Sequence, residues 1–105
     1  MLISNLEIVP GKRVREHLGL VPGSTDRAKN IGRDFMAGLK NIVGGELVGY
    51  TELLEEARQE ALGHMQEQAR SIGANAVLNV RFSTSSVAQG AAELFVYGSA
   101  VVIAD

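Results

Sequence analysis

The sequence predicts one α+β domain with the element order β-α-α-β-β. Three observations lead to this fold. The length of 105 residues suits a single domain. Apolar residues recur every three or four positions over residues 46–72, which indicates a long helix, and two apolar runs of strand length follow at 74–83 and 93–104. We therefore expect a three-stranded antiparallel sheet packed on one long helix.

The first half of the chain is predicted to contain a strand and a short helix. In residues 12–21, apolar residues alternate with charged or polar ones, which is the period-two pattern of a strand. The Pro-Gly-Ser sequence at residues 22–24 is expected to end that strand. Residues 30–43 place apolar side chains at spacings of 4, 4 and 3, which is typical of an amphipathic helix.

The long helix has the strongest pattern in the sequence. Its apolar positions step by 3 or 4 from Leu47 to Ile72, so we expect a helix of about 40 Å. Gly73 follows in the position of a C-terminal cap. Gly63, in the middle of the helix, costs roughly 1 kcal/mol relative to alanine.

Arg58 is the unexpected residue of this helix, because helical geometry places it on the apolar side. A buried guanidinium without a partner would be strongly destabilising. Three interpretations stay open. The stem lies over the core while the charged head reaches water, the head pairs with a carboxylate of a strand or of a neighbouring subunit, or the head binds an anionic ligand.

The last predicted strand, residues 93–104, is apolar on both sides. Such a strand is normally covered on both sides, and one helix covers only one of them. We therefore predict that another copy of the chain covers the second side. The alternative is that the shorter helix closes it within one subunit. The strands at 74–83 and 93–104 are expected to pair in antiparallel fashion across a loop at residues 84–92.

The composition argues against several classes of protein. There is no cysteine, which excludes disulfides and thiolate metal sites and makes a reducing cytoplasm the expected location. No apolar run approaches the roughly 20 residues that span a membrane. The formal net charge of −2 is spread along the chain, which argues against nucleic-acid binding through a basic surface.

One candidate metal site lies on the long helix. Glu60, His64 and Glu67 have helical spacings of four and three, so their side chains project from one side of the helix. One imidazole and two carboxylates could hold Zn²⁺ or a related divalent ion, with water in the fourth position. The alternative is an ordinary solvated row of glutamates.

A second candidate site is formed by polar residues near apolar strands. Asn75, Asn79 and Arg81 border a sheet that is predicted to be buried. In an oligomer they could line a shared cleft or channel with Tyr50 and Arg58, where a small anion or polar metabolite would find hydrogen-bond donors. The alternative is that these residues complete hydrogen bonds between strands and subunits.

No catalytic residue stands out in the sequence. The Ser85-Ser86 pair suits polar turn chemistry, and there is no strand-to-helix nucleophile motif around a serine. The glycine clusters do not have the spacing of phosphate-binding loops. A non-enzymatic module that binds a small ligand or metal is therefore favoured, and the alternative is an interaction module that recruits a protein partner.

Several motifs of this chain resemble those of the YbjQ-like family, an uncharacterised family that carries a heavy-metal-binding label. The resemblance extends from about Val9 to Ile103. It rests on MAGLK at 36–40, GGE at 44–46, GYT at 49–51, GANA at 73–76 and VRF at 80–82. Members commonly have an aspartate after the last motif, whereas this chain has Ser83, which weakens any site that needs that carboxylate.

The resemblance implies an α+β subunit similar in outline to dodecin subunits. It also implies a ring-like homo-oligomer, a pentamer or two such rings stacked as a decamer. It does not supply a function beyond the metal-binding label.

Overall fold

The computed structural model of the protein describes residues 1–25, 50–88 and 91–105. These residues form helix α1 (Tyr50–Ser71) and four strands, β1 (Leu2–Ile3), β2 (Arg13–Ser24), β3 (Ala76–Ala88) and β4 (Ala91–Ala104). The helix predicted at residues 30–43 lies outside the described residues. The same is true of residues 46–49, where the predicted long helix begins.

The four strands form one mixed sheet in the order β1-β3-β4-β2. β4 pairs antiparallel with β3, as predicted, and also with β2, a central position for β4 that the sequence did not predict. β1 adds in parallel to the outer edge of β3, with Leu2 opposite Ala76. The prediction of three strands, all antiparallel, is therefore corrected to four mixed strands. A two-residue strand has too few positions to show a period in the sequence.

The predicted end of β2 and both predicted ends of the loop between β3 and β4 are wrong. β2 continues through Pro22 to Ser24, and it is an edge strand, where proline is tolerated. The loop predicted at residues 84–92 is shorter, because β3 extends to Ala88 and β4 begins opposite it at Ala91. Only residues 89 and 90 lie between the two strands. Backbone pairing with the neighbouring strand overrides the polar composition of this segment.

Helix α1 packs on one face of the sheet through small side chains. Ala57, Ala61, Met65 and Ala69 are buried along its inner side. Gly23 of β2 lies so close to the helix that a Cβ atom built on it would be 2.5 Å from the backbone nitrogen of Met65. Helix and sheet are thus nearly in backbone contact, and the shared core includes Val21, Ala74, Val77, Val80, Val96 and Ala100.

The opposite face of the sheet, here called the second face, is partly covered by residues 4–12, here called the N-terminal strap. Val9 of the strap packs with Ile103 against the buried Ala76, Leu78 and Val101. A turn then joins the strap to β2, and the Lys12 N–H donates to the carbonyl oxygen of Val9 at 3.1 Å. Its Pro-Gly centre suits a type II turn, with residue 11 at φ +80°.

Among the described residues, the strap leaves the rest of the second face uncovered. Leu20 is opposite Ser99, which is also opposite Leu78, so Leu20 lies on the same face as Leu78. Leu20 is nevertheless 72% exposed. Tyr97, two residues from Ser99 on the same face, is 37% exposed. Leu20 and Tyr97 form what we call the second-face patch.

Candidate functional site

His64 connects the helix to the sheet. Its side chain is half-buried, and its Nδ1–H donates to the carbonyl oxygen of Ser24 at 2.5 Å. A carbonyl oxygen only accepts, so the proton of a neutral ring is on Nδ1 and the lone pair is on Nε2. This is the arrangement that metal-binding histidines commonly have, with the other ring nitrogen donating to a backbone carbonyl.

The residue after Ser24 adds polarity at the end of β2. Thr25 is 5% exposed, and its hydroxyl has no hydrogen-bond partner in the part of the chain that the structure describes. Buried hydroxyl groups are usually hydrogen-bonded, often by ordered water. Among the described residues, the Thr25 hydroxyl at the end of β2 is thus a buried polar group whose hydrogen bond is not made.

The other two predicted metal ligands are arranged differently. Glu60 is half-buried, whereas Glu67 is exposed. In residues 1–25, 50–88 and 91–105, no group of three histidine, aspartate or glutamate side chains is placed to hold a metal ion. Within the described residues, Glu60, His64 and Glu67 are thus not grouped as a set of metal ligands.

Arg58 lies in solvent. Its Nη1 donates to Glu55 Oε2 at 3.2 Å, one helical turn away, and 45% of the Arg58 side chain is exposed. A hydrogen bond from Gln59, and after it the one from Arg58, hold the pKa of Glu55 below its usual value. Within a single chain, the charged head of Arg58 therefore reaches water, as the first interpretation expected. Tyr50 begins the same helix, and its side chain is outside the described residues.

Asn75 joins β3 to the far end of β4. Its Nδ2 donates to the carbonyl oxygen of Ile103 at 3.0 Å, and the Ile103 N–H donates to Asn75 Oδ1 at 2.8 Å. Both polar groups of the amide are thus used between strands. This matches the structural alternative for Asn75 within the subunit.

Asn79 and Arg81 hold the N-terminal strap against β3. Asn79 has φ +58° at a bulge in β3, and its backbone N–H donates to the carbonyl oxygen of Leu6 at 3.0 Å. Arg81 Nη1 donates to the carbonyl oxygens of Asn5 and Val80, both at 2.9 Å. Neither these hydrogen bonds nor those of Asn75 and Arg58 join any two of the predicted ligand-binding residues.

A cleft between the strap and the second face was not predicted from the sequence. It has a volume of about 280 Å³ and is lined by Ile8, Val9, Lys12, Arg13, Val14, Leu78 and Ile103. The Pro-Gly pair at residues 10 and 11 is its sequence signal, because this turn folds the strap back over the sheet. The alternation of apolar and polar residues in the strands gives no signal for this cleft.

Comparisons with known proteins agree with this fold. A YbjQ family model described as "Putative heavy-metal-binding" matches residues 1–104. A UPF0145 protein of Hahella chejuensis is 73% identical over 103 residues, which cover 98% of this chain and 99% of that protein. A UPF0145 protein of Thermus thermophilus is 58% identical over 101 residues, which cover 96% of this chain and 89% of that protein.

A crystal structure of a protein with unknown function from Pediococcus pentosaceus, assigned to the DUF74 family, is also similar. Its TM-score is 0.53 at 15% sequence identity, and the match covers 99% of this chain and 98% of that one. This likeness concerns the fold alone.

Within the described residues, no helix is long and apolar enough to cross a membrane.

Proposed function

Because the chain belongs to the YbjQ-like, UPF0145 family, we propose that it is a non-enzymatic homo-oligomeric module that binds a small ligand or a divalent metal ion. The observation that carries the proposal is the second-face patch. Leu20 is 72% exposed on a face whose other half is a packed core. Apolar surface of this kind commonly marks a contact with another chain.

The proposed assembly is based on the part of the subunit surface that the described residues leave uncovered. Among the described residues, helix α1 packs on one face of the sheet, and the strap covers the end of the second face near Ile103. A second copy placed over Leu20 and Tyr97 would remove them from water. A ring of five such subunits, singly or stacked in pairs, is the arrangement implied by the resemblance to this family.

The metal site is proposed at His64. The Nδ1–H bond to Ser24 fixes the ring orientation, and Nε2 would be the nitrogen that binds the metal. Glu60 and Glu67, one helical turn to either side, would supply carboxylate oxygens after side-chain rotation. A neighbouring chain could supply the remaining metal ligands. Separately, an anionic ligand between subunits would find hydrogen-bond donors in the guanidinium groups of Arg58 and Arg81.

Zinc titration tests this site, because the chain has only two histidines. His64→Ala should abolish zinc uptake in calorimetry. His17→Ala removes an exposed histidine of β2 and should leave uptake unchanged, which makes it the matched control. Equal uptake by the wild type and His64→Ala would contradict a site at this residue.

Native mass spectrometry tests assembly and ligand retention together. We expect five or ten copies, with a metal or a small molecule retained in the complex. A single stable subunit at micromolar concentration would contradict the assembly. An empty ring would favour the second candidate function, an interaction module, because the second-face patch also suits a protein partner.

A further inference from the structure

The cleft under the N-terminal strap combines an apolar floor with a basic rim. Leu78 and Ile103 form the floor, and Val14 lies beside them, opposite Ile103 in the sheet. Ile8 of the strap lines the other side and is 71% exposed. Apolar side chains that line a cleft while remaining accessible are typical of ligand sites.

Two cations border the cleft. Lys12 and Arg13 both line it, at the point where the strap turns into β2. Lys12 Nζ forms a salt bridge with Asp105 Oδ1, and the side chain of Asp105 is 90% exposed. Arg13 forms no salt bridge within the described residues. Lys12 at the rim therefore already pairs with a carboxylate of the chain. The Arg13 guanidinium is available to pair with the carboxylate of a ligand.

The volume of the cleft limits the size of its occupant. At 280 Å³ it is slightly smaller than the roughly 300–1,000 Å³ of sites for drug-sized ligands. At about 30 Å³ per water-sized group, it holds roughly nine such groups. The occupant is therefore a small molecule with a short apolar chain rather than a peptide or a nucleotide.

We propose that the strap cleft binds a short-chain carboxylate, with the apolar chain over Leu78 and Ile103 and the carboxylate at Arg13 and Lys12. The site is independent of the metal site at His64, which is on the opposite face of the sheet, and of Leu20 and Tyr97. A failure of the strap cleft to bind a carboxylate would therefore not contradict the proposed metal site or assembly. A failure of those two proposals would likewise not contradict the strap cleft.

Hexanoate is the probe, because its eight non-hydrogen atoms fit the volume of the cleft. Hexanoate added to protein with ¹³C-labelled isoleucine methyl groups should shift the signals of Ile8 and Ile103, with a dissociation constant on the order of 1 mM. The signal of Ile72, at the end of helix α1, should stay in place. Absence of shifts at Ile8 and Ile103 up to 20-fold above that concentration would overturn the proposal.

Charge variants test the carboxylate end. Arg13→Gln should weaken hexanoate binding about threefold, which is the size expected for one exposed charge pair. Arg15→Gln removes an equal charge from the same strand outside the cleft and should have no effect. Asp105→Asn should strengthen binding by a similar factor, because it leaves Lys12 to the ligand.

A neutral analogue separates carboxylate recognition from apolar binding. Hexan-1-ol has the same chain length as hexanoate and no charge, so it should bind at least threefold more weakly. Equal shifts with hexan-1-ol and hexanoate, or equal hexanoate binding by Arg13→Gln and Arg15→Gln, would overturn the role of the basic rim.

Discussion

The two faces of the sheet differ in the size of their side chains. Under helix α1 the contacts are made by alanines and Gly23, and the largest fully buried side chains there are Met65, Val77 and Val96. On the second face Leu20 and Tyr97 are large and remain exposed. Within the described residues, helix α1 packs on the first face, whereas the second face keeps exposed apolar side chains at Leu20 and Tyr97.

The two faces are therefore expected to contribute to two different free energies, that of folding and that of association. The close contact between helix and sheet contributes to the free energy of folding of the subunit, because dense packing there gains dispersion contacts and excludes water. In the proposed assembly, the second-face patch would contribute to the free energy of association, because another chain would bury it. Substitutions on the two faces should therefore have different consequences, and the following predictions use that contrast.

The largest expected effect is at the helix-covered face. Gly23→Ala should destabilise the subunit by about 3 kcal/mol, because a Cβ atom at this position would meet the backbone of Ala61 and Met65 rather than flexible side chains. Urea unfolding followed by circular dichroism, at one fixed protein concentration, measures the change.

Gly63→Ala is the matched control, because it adds the same methyl group, on the side of helix α1 that does not meet β2. A Cβ atom at residue 63 has no atom within 4 Å, so alanine should stabilise the protein by about 1 kcal/mol through helix propensity. Changes of the same sign in the two variants would contradict the close backbone approach at Gly23.

The second prediction concerns the second-face patch. Leu20→Asp should prevent assembly while helix α1 keeps its circular dichroism signal. Burial of leucine at an interface contributes about 2 kcal/mol, and a buried, unpaired carboxylate is strongly unfavourable. Sedimentation velocity at micromolar concentration should show the mass of the single subunit.

Ile72→Asp tests whether any new surface charge has this effect. Ile72 is 45% exposed, follows helix α1 and is not part of the second face. This variant should assemble as the wild type does. Assembly of Leu20→Asp to the wild-type mass would contradict the role of the patch.

The sequence predicts the parts of this fold that depend on long periodic segments. The apolar period of helix α1 and the alternation in β2 and β4 extend over many residues, so their type and order are visible. β1 was not predicted, because it is defined by pairing with Ala76 and Val77 rather than by its own two residues. The extension of β3 and β4 into residues 84–92 likewise depends on cross-strand pairing.

The interpretation of Arg58 shows why the sites were harder to predict. The helix rests on the sheet through residues 57, 61, 65 and 69, which are alanines except for Met65. Such short side chains bury a narrow stripe of the helix, so Leu62 is only half-buried and Arg58 is exposed. An apolar pattern gives the direction of the buried side, but the width of that side depends on how closely the helix approaches.

Arg58 also provides a smaller test of whether association involves the helix side of the subunit. We expect Arg58→Ala to weaken association up to about fivefold without loss of helix, if its head pairs across an interface. Arg70→Ala is the control, because the Arg70 guanidinium makes a comparable contact within α1, with Gln66 at 3.3 Å. Size-exclusion chromatography over a dilution series compares them. Identical dilution behaviour would confine association to the second face.

The smallest expected effect lies at the covered end of the second face. The hydrogen bond and the positive charge of Lys12 hold the pKa of Asp105 below its usual value. A carboxyl group with a lowered pKa stabilises the fold above its ordinary pKa of about 4, and this contribution is lost as the pH falls through the lowered value.

Lys12→Gln should therefore raise the pKa of Asp105 toward its ordinary value, as measured by NMR titration of the side-chain carboxyl carbon. Arg70→Gln removes an equal charge in the last turn of helix α1, on the other face of the sheet, and should leave this pKa unchanged. An unaltered titration in Lys12→Gln would mean that the salt bridge between β2 and Asp105 does not form in solution. The covered end of the second face would then be held by the apolar contacts of Val9 and Ile103 alone.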